Sequence, residues 1–307
     1  MRVLIIGCGY VGLSLGRELV REGHEVWGMR RSQAAAAEMT SAGIKPLVAD
    51  ITRPETLPHP AVPYDWVVNC VSSSGGDVDD YQQVYLEGTR HVLHWLAAAP
   101  PHQFVYTSST SVYGQIDGSL VSETSPVEPT AETAKVLVET EKILLAATRG
   151  GAPSRGSMRT AERPFPAVIL RLAGIYGPGR GYWLKQYLKG EAKIEGRGER
   201  FLNMIHRDDA VGAIIAALHH GEPGEIYNVV DDEPVRQIDF FQWLAAKSGR
   251  ALPPFVPADP AMTRKRGLTD KRVSNRKLKQ HLRYRLRYPT FRKGFEQLYT
   301  TTEVGAA

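Results

Sequence analysis

Cysteine is nearly absent. The 307 residues hold only Cys8 and Cys70, and both close apolar segments rather than joining a spaced Cys/His set. That argues against a disulfide framework and against a cysteine-ligated metal site, and leaves two small buried residues as the expectation. Long hydrophobic runs are absent too: none nears the roughly 18 residues that a membrane-spanning helix needs. The chain opens on Arg2-Val3-Leu4-Ile5-Ile6, without a basic, apolar and small-residue leader. A soluble cytoplasmic protein with no membrane partner is expected. With 42% hydrophobic and 23% charged residues, bulk disorder is excluded, and the length allows one large core or a large domain with a smaller appendage.

Acidic residues are scarce in one place. From Arg264 to Lys293 there are thirteen Lys/Arg and one acid, Asp270, a local charge of +12 in a chain whose net charge is +5, so the remainder carries −7. Such a stretch could meet nucleic acid. No helix-turn-helix, zinc finger or aromatic stacking platform accompanies it, so a nucleic-acid partner is not expected.

Short apolar runs alternating with helical patterns fill the first two thirds, the signature of βαβ units and a parallel sheet. Strands are expected at Val3–Ile6, Glu25–Gly28, Lys45–Ala49, Trp66–Asn69, Gln103–Thr107, Val168–Leu172 and Ile226–Val229, and helices near Val11–Glu22, Gln33–Ala42, Tyr81–Ala98 and Ala131–Ala147. Thr148 to Pro166, rich in Gly, Pro and Arg, reads as an irregular surface loop, and Thr301 to Ala307 as a frayed tail. The fold class is α/β: a doubly wound parallel Rossmann sheet over residues 1–175, to which the strand at 226–229 returns, with a smaller substrate lobe over most of 176–300.

The motif Gly7-Cys8-Gly9-Tyr10-Val11-Gly12 follows an apolar strand, opens an amphipathic helix closed by Gly23 and leads to a second strand. In that setting Gly7 permits the tight turn, Gly9 lets backbone approach a pyrophosphate, Gly12 lets helix pack on strand, and the helix N-terminus faces the negative charge. Tyr10 and Val11 lie in the same turn. After the second strand, where an NAD-preferring domain places an acid, stands Met29-Arg30-Arg31-Ser32. The two arginines suit a 2′-phosphate, so NADP is favoured with NAD as the second choice; the competing reading is a solvated charge pair at a strand end. Asp50 and Ile51 are placed for the adenine edge, although Asp50 could equally cap the following turn. Val71 and Ser72, after the fourth strand, open a small-residue loop, Ser72-Ser73-Ser74-Gly75-Gly76-Asp77, that permits close approach of phosphate and nicotinamide ribose.

With Thr107-Ser108-Ser109-Thr110-Ser111-Val112-Tyr113-Gly114, Arg171-Leu172-Ala173-Gly174-Ile175-Tyr176-Gly177-Pro178-Gly179, Ile205-His206-Arg207-Asp208-Asp209-Ala210 and Ile226-Tyr227-Asn228-Val229, the chain resembles the extended short-chain dehydrogenase/reductase superfamily. The similarity is to its NAD(P)-dependent epimerase/dehydratase branch and that branch's atypical members, over nearly the whole chain. The resemblance implies a small-molecule substrate, in many relatives a nucleotide-linked sugar, and a homodimer paired through the helices around Tyr81–Ala98 and Ala131–Ala147. It also implies a Ser or Thr that orients the reacting oxygen, a Tyr that carries the proton and a Lys four residues later that holds the nicotinamide ribose. By the resemblance the hydroxyl falls on Ser109, the Lys on Lys135 and the Tyr on Ala131, which cannot carry a proton. Ile6, in place of a first glycine, and Tyr85, in place of an Asn, depart as well. Tyr81, Tyr85, Glu132 and Tyr113 are the candidates for a surrogate acid/base, with Tyr85 taken into the catalytic set. Arg180, Arg200, Arg207, Arg264 and Arg266 are positions for substrate phosphates. Two functions stand side by side: an NADP-dependent oxidoreductase or epimerase, and a non-catalytic NADP(H)-sensing protein.

Overall fold

The run Arg2–Ile6 is apolar on both faces and almost wholly buried, as an interior strand of a parallel sheet requires. It is β1. Around it lie β2 (Glu25–Arg30), β3 (Lys45–Val48), β4 (Trp66–Asn69), β5 (Gln103–Ser109), β6 (Ala167–Leu172) and β7 (Ile226–Val229). All pair in parallel in the order β7-β6-β5-β4-β1-β2-β3. The seven coincide with the seven expected segments, with ends shifted by a residue or two. The coordinates are a computed structural model that describes residues 1–58, 63–73, 76–150, 164–257 and 269–296.

Helices cover the doubly wound sheet. Tyr10–Arg21 packs on Arg207–His220, and Glu132–Thr148 packs on the helical run 78–96. That run is not uniform: Val78–Tyr81 and Gly88–Leu96 are α-helical, and Gln82–Glu87 between them is a π-helical turn. The segment at 33–42 starts as a 3-10 turn, Gln33–Ala35, before the short helix Ala36–Ser41.

One apolar cluster spans the sheet and its helices, and a second, aromatic one gathers Tyr176, Phe240, Phe241, Phe291 and Phe295 from the later part of the chain. The parallel ribbon of Ile116–Val121 with Asp270–Val273, which the sequence pattern did not announce, ties the two parts together. Asp209 anchors the later part of the chain. It lies inside the first turn of Arg207–His220, whose N-cap is His206, and its carboxylate accepts hydrogen bonds from the Tyr284 hydroxyl at 2.8 Å and the Arg287 and Tyr288 N–H groups at 2.7 and 2.8 Å. It pins the C-terminal segment to the sheet. Most of the proposed surface loop, residues 151–163, and the tail at 301–307 lie outside the described residues.

Part of the basic C-terminal stretch is engaged in contacts within the molecule. Lys277 pairs with Glu225, Arg292 with Glu233 and Lys279 with Asp232 at 3.0 Å, while Arg272 donates to the Gly118 carbonyl at 3.0 Å. Three of these contacts meet acids of the rest of the chain.

Candidate functional site

In an open parallel sheet, ligands bind at the carboxyl ends of the strands where the strand order reverses, here between β1 and β4. A cavity of about 520 Å³ opens there, lined by the carboxyl ends of β1, β2 and β5 and the segments after β1, β2, β3 and β4: within Ile6 to Val11, Met29 to Ser32, Ala49 to Thr52, Cys70 to Ser73 and Thr107 to Ser109. Cys8 and Gly12 stand behind this wall.

Gly7 has a φ of +82°, and a Cβ there would sit 2.6 Å from the Val71 backbone nitrogen. The turn therefore demands glycine twice over, by conformation and by contact. A Cβ at Gly12 would meet the Gly7 carbonyl oxygen at 2.7 Å, so the helix rides directly on the turn. Around Gly9, by contrast, a Cβ would find only the Gly7 oxygen, at 3.9 Å, which leaves its cavity side open. The helix Tyr10–Arg21 has no side-chain cap and no acid in its first turn, so its positive end is left to an anion. Tyr10 donates to the Pro178 carbonyl at 3.1 Å, and its ring lies between the guanidinium groups of Arg180 and Arg207, 5.2 and 5.3 Å from the ring centre.

Arg30, the last residue of β2, and Arg31 after it lie on the cavity wall; Arg30 stands 3.9 Å from the exposed Glu38, a contact that water screens. Asp50 both lines the cavity and caps its own turn, accepting from the Thr52 N–H at 2.9 Å and the Thr52 hydroxyl at 2.8 Å. Ile51 is fixed from behind by His91, whose Nδ1 lies 2.7 Å from its carbonyl oxygen. Val71, Ser72 and Ser73 line the cavity, while Ser74 and Gly75 lie outside the described residues. Burial pushes the Cys8 thiol up to about 11 and Cys70 higher still, so neither supplies a thiolate near neutral pH.

The cavity brings Ser109 and Tyr85 together with Tyr81. Tyr85 sits in the π-helical turn, a device common at functional sites. Its hydroxyl accepts the Ser73 N–H at 3.1 Å, and its ring lies 4.8 Å from that of Tyr81. Ser109 Oγ accepts the Ser111 N–H at 3.2 Å.

Lys135 is not among the lining residues. Its side chain is half exposed and bonds Glu132 at 2.7 Å, and Ala131 is the N-cap of the same helix. This corrects the assignment of Lys135 to the site, and the reason is helical register. At about 100° per residue, Lys135 is roughly 200° from Leu137, the residue of that helix that does line the cavity. Leu137 shares its face with the buried Thr133, four residues earlier. The register is held by a buried network: Arg171 grips the Glu141 carboxylate with Nη2–Oε2 at 2.6 Å, Ser108 donates to Glu141 at 2.6 Å, and Arg171 donates to the Tyr113 hydroxyl at 2.8 Å, which donates in turn to Asn228. Tyr113 is therefore a structural link. Spacing from Pro129 misses this register; the inward-facing acid Glu141 was the signal that could have found it.

Ser109, Ala173 and Ile175 also line a second chamber of about 260 Å³, so the two spaces adjoin at the end of β5. Its other walls include Tyr176, Trp183, Arg200, Phe201, Asn203, Lys271 and Phe295. Of the arginines proposed for substrate, Arg180 lines the first space and Arg200 the second, Arg207 pairs with Asp208 at 2.9 Å, and Arg264 and Arg266 lie outside the described residues. Lys271 escaped the sequence reading because it sits in a basic run that looks solvated. Its strand, however, alternates, with Lys271 and Val273 buried and Arg272 exposed.

Among the described residues no helix is long and apolar enough to cross a membrane, and no His/Cys/Asp/Glu cluster could hold a metal ion. Protein YeeZ of Escherichia coli (strain K12) is 28% identical over 264 residues, spanning 83% of this chain and 86% of that protein. A solved structure of a functionally unknown conserved protein from Silicibacter pomeroyi DSS superposes with a TM-score of 0.78 at 30% identity, covering 98% of each chain. The dTDP-glucose 4,6-dehydratase of Bacillus anthracis str. Ames, solved in complex with NAD, shares the fold at a TM-score of 0.79 and 18% identity, covering 99% of this chain and 97% of that one. The cavity at the strand reversal and a family match over residues 3–229 lead to one conclusion: the chain belongs to the NAD dependent epimerase/dehydratase family.

Proposed function

We propose that the protein is a cytoplasmic NADP(H)-dependent oxidoreductase or epimerase, with NAD as the weaker cofactor, acting on a small substrate held in the chamber beside the cofactor cavity. Sugar-type substrates, nucleotide-linked ones included, fall within this reading, as the dTDP-glucose relative suggests. The observation that carries it is the junction at Ser109: one residue lines both the cavity read as the dinucleotide's and a chamber with polar, cationic and aromatic walls.

In this reading Gly7, Gly9, Gly12 and the helix start receive the pyrophosphate, with Tyr10 and Val11 in that turn; Arg30 and Arg31 read the 2′-phosphate; and Asp50 and Ile51 border the adenine. Val71 and Ser72 border the nicotinamide half. When bound, the cofactor supplies the hydride. Ser109 orients the reacting oxygen, and Tyr85 donates or accepts the proton, since an alcohol and its carbonyl differ by a hydride and a proton. Thr133 and Leu137 occupy the helix face on which relatives would carry the Tyr and Lys. A homodimer paired through 78–96 and Glu132–Thr148 belongs to the same proposal, and sedimentation tests it.

The test is NADPH oxidation against a panel of small oxo compounds and nucleotide-sugar ketones. Turnover that falls at least a hundredfold in Ser109→Ala and in Tyr85→Phe supports it. A second reading, NADP(H) sensing without catalysis, is favoured by Leu137, an apolar residue on the only helix face that reaches the cavity from Glu132–Thr148. Tight NADPH binding with no turnover across the panel decides for sensing.

A further inference from the structure

Lys271 is 3% exposed, lies on the strand Asp270–Val273 and lines the second chamber. A buried ammonium ordinarily has a carboxylate beside it. Among the described residues Lys271 has none: its Nζ donates to the Tyr113 carbonyl oxygen at 2.6 Å and stands 6.0 Å from the centre of the Tyr113 ring. One of its three N–H bonds is thus used. The neighbouring acid, Asp270, is engaged elsewhere, accepting the Phe201 N–H at 2.9 Å.

The chamber's described walls hold two cations, Lys271 and Arg200, and no acid. Tyr176, Trp183, Phe201 and Phe295 supply aromatic surface; Arg200 stands 5.7 Å from the Trp183 ring centre, and Tyr176 stacks on Phe295 at 4.4 Å. The Lys271 ammonium, without a carboxylate among the described residues and set beside aromatic walls, is complementary to an organic anion, not to a neutral sugar.

We propose that Lys271 binds the carboxylate of a small organic acid whose ring or chain packs on the aromatic walls, placing its reacting carbon toward Ser109. This rests on the reading of the chamber as the substrate's, and it narrows the substrate class. A carboxylate suits the site because two N–H bonds of Lys271 remain, and a dianion would crowd the Tyr113 carbonyl oxygen. Burial holds the Lys271 amine down to about 7, and an arriving anion favours its charged form.

The experiment is calorimetric titration of the full chain, with and without NADPH, using 2-naphthoate, neutral 2-naphthamide and 2-naphthyl phosphate. The acid is expected to bind at least tenfold more tightly than the amide. Lys271→Met abolishes that preference, Lys271→Arg retains it, and NADPH affinity stays within twofold in both variants. Equal affinity for acid and amide in the unaltered chain, no binding of the acid, or a preference that survives in Lys271→Met overturns the proposal. Tighter binding of the phosphate ester overturns the choice of carboxylate. Acid preference without NADPH binding supports the Lys271 assignment and sinks the cofactor reading instead, so the two failures are distinguishable.

Discussion

Gly7 carries the sharpest steric demand in the cofactor cavity. Gly7→Ala places a methyl group 2.6 Å from the Val71 nitrogen at a φ that alanine rarely adopts, so the turn must shift. A loss of at least about 2 kcal/mol in denaturant unfolding is expected, together with weakened dinucleotide binding. Gly9→Asp tests charge instead of fit: the side chain finds room, so thermal stability stays near normal while NADP(H) affinity collapses. Arg30→Asp is expected to shift the NADP:NAD affinity ratio toward NAD by at least tenfold, and an unchanged ratio would leave the 2′-phosphate without a reader.

Lys271 has a further signature. Its folded pKa, about 7, lies below the unfolded value near 10.4, so the unfolded chain binds more protons between those limits. Native stability therefore rises with pH across that window, and the penalty is full below about 7. Lys271→Met should stabilise the empty protein at pH 6 by something on the order of 3 kcal/mol, with the gain shrinking as pH climbs toward 10. Urea unfolding at both pH values checks it.

At the scale of elements, the rotation of the helix Glu132–Thr148 decides which of its residues face the cavity. Its register depends on Glu141, so Glu141→Gln, which leaves the buried Arg171 guanidinium without its counter-ion, is expected to cost about 3–5 kcal/mol. Lys135→Ala should leave NADP(H) affinity unchanged, because that side chain points away from the cavity. The double substitution Thr133→Tyr, Leu137→Lys places the family's proton carrier and ribose lysine on the inward face, and new turnover in that variant, with none in Ala131→Tyr, would establish the register chemically. Spacing in the sequence could place this helix but not its rotation. The rotation is set by a long-range ion pair with β6, invisible to any local pattern. The π-helical turn that carries Tyr85 was illegible for the same reason, since its extra residue per turn looks like ordinary helical periodicity in sequence.

At the scale of the whole molecule, the seven strands were legible because a parallel sheet buried on both faces writes itself as short apolar runs separated by helix-length segments. The glycine turn was legible because backbone conformation limits it to one residue type. The second chamber was not. Its walls come from strand ends, the ribbon at 270–273 and aromatic residues more than a hundred positions apart, and its key cation lies within a run of thirteen Lys/Arg that hides it from a local pattern. Cofactor binding should stabilise the whole fold by mass action, with a melting temperature that climbs as NADPH is raised above its Kd.

The most direct measurement is calorimetric titration of the purified protein with NADP, NADPH, NAD and NADH. Micromolar binding with a preference for NADP(H), lost in Gly9→Asp, is the predicted result. No binding to any of the four would contradict the account at its centre.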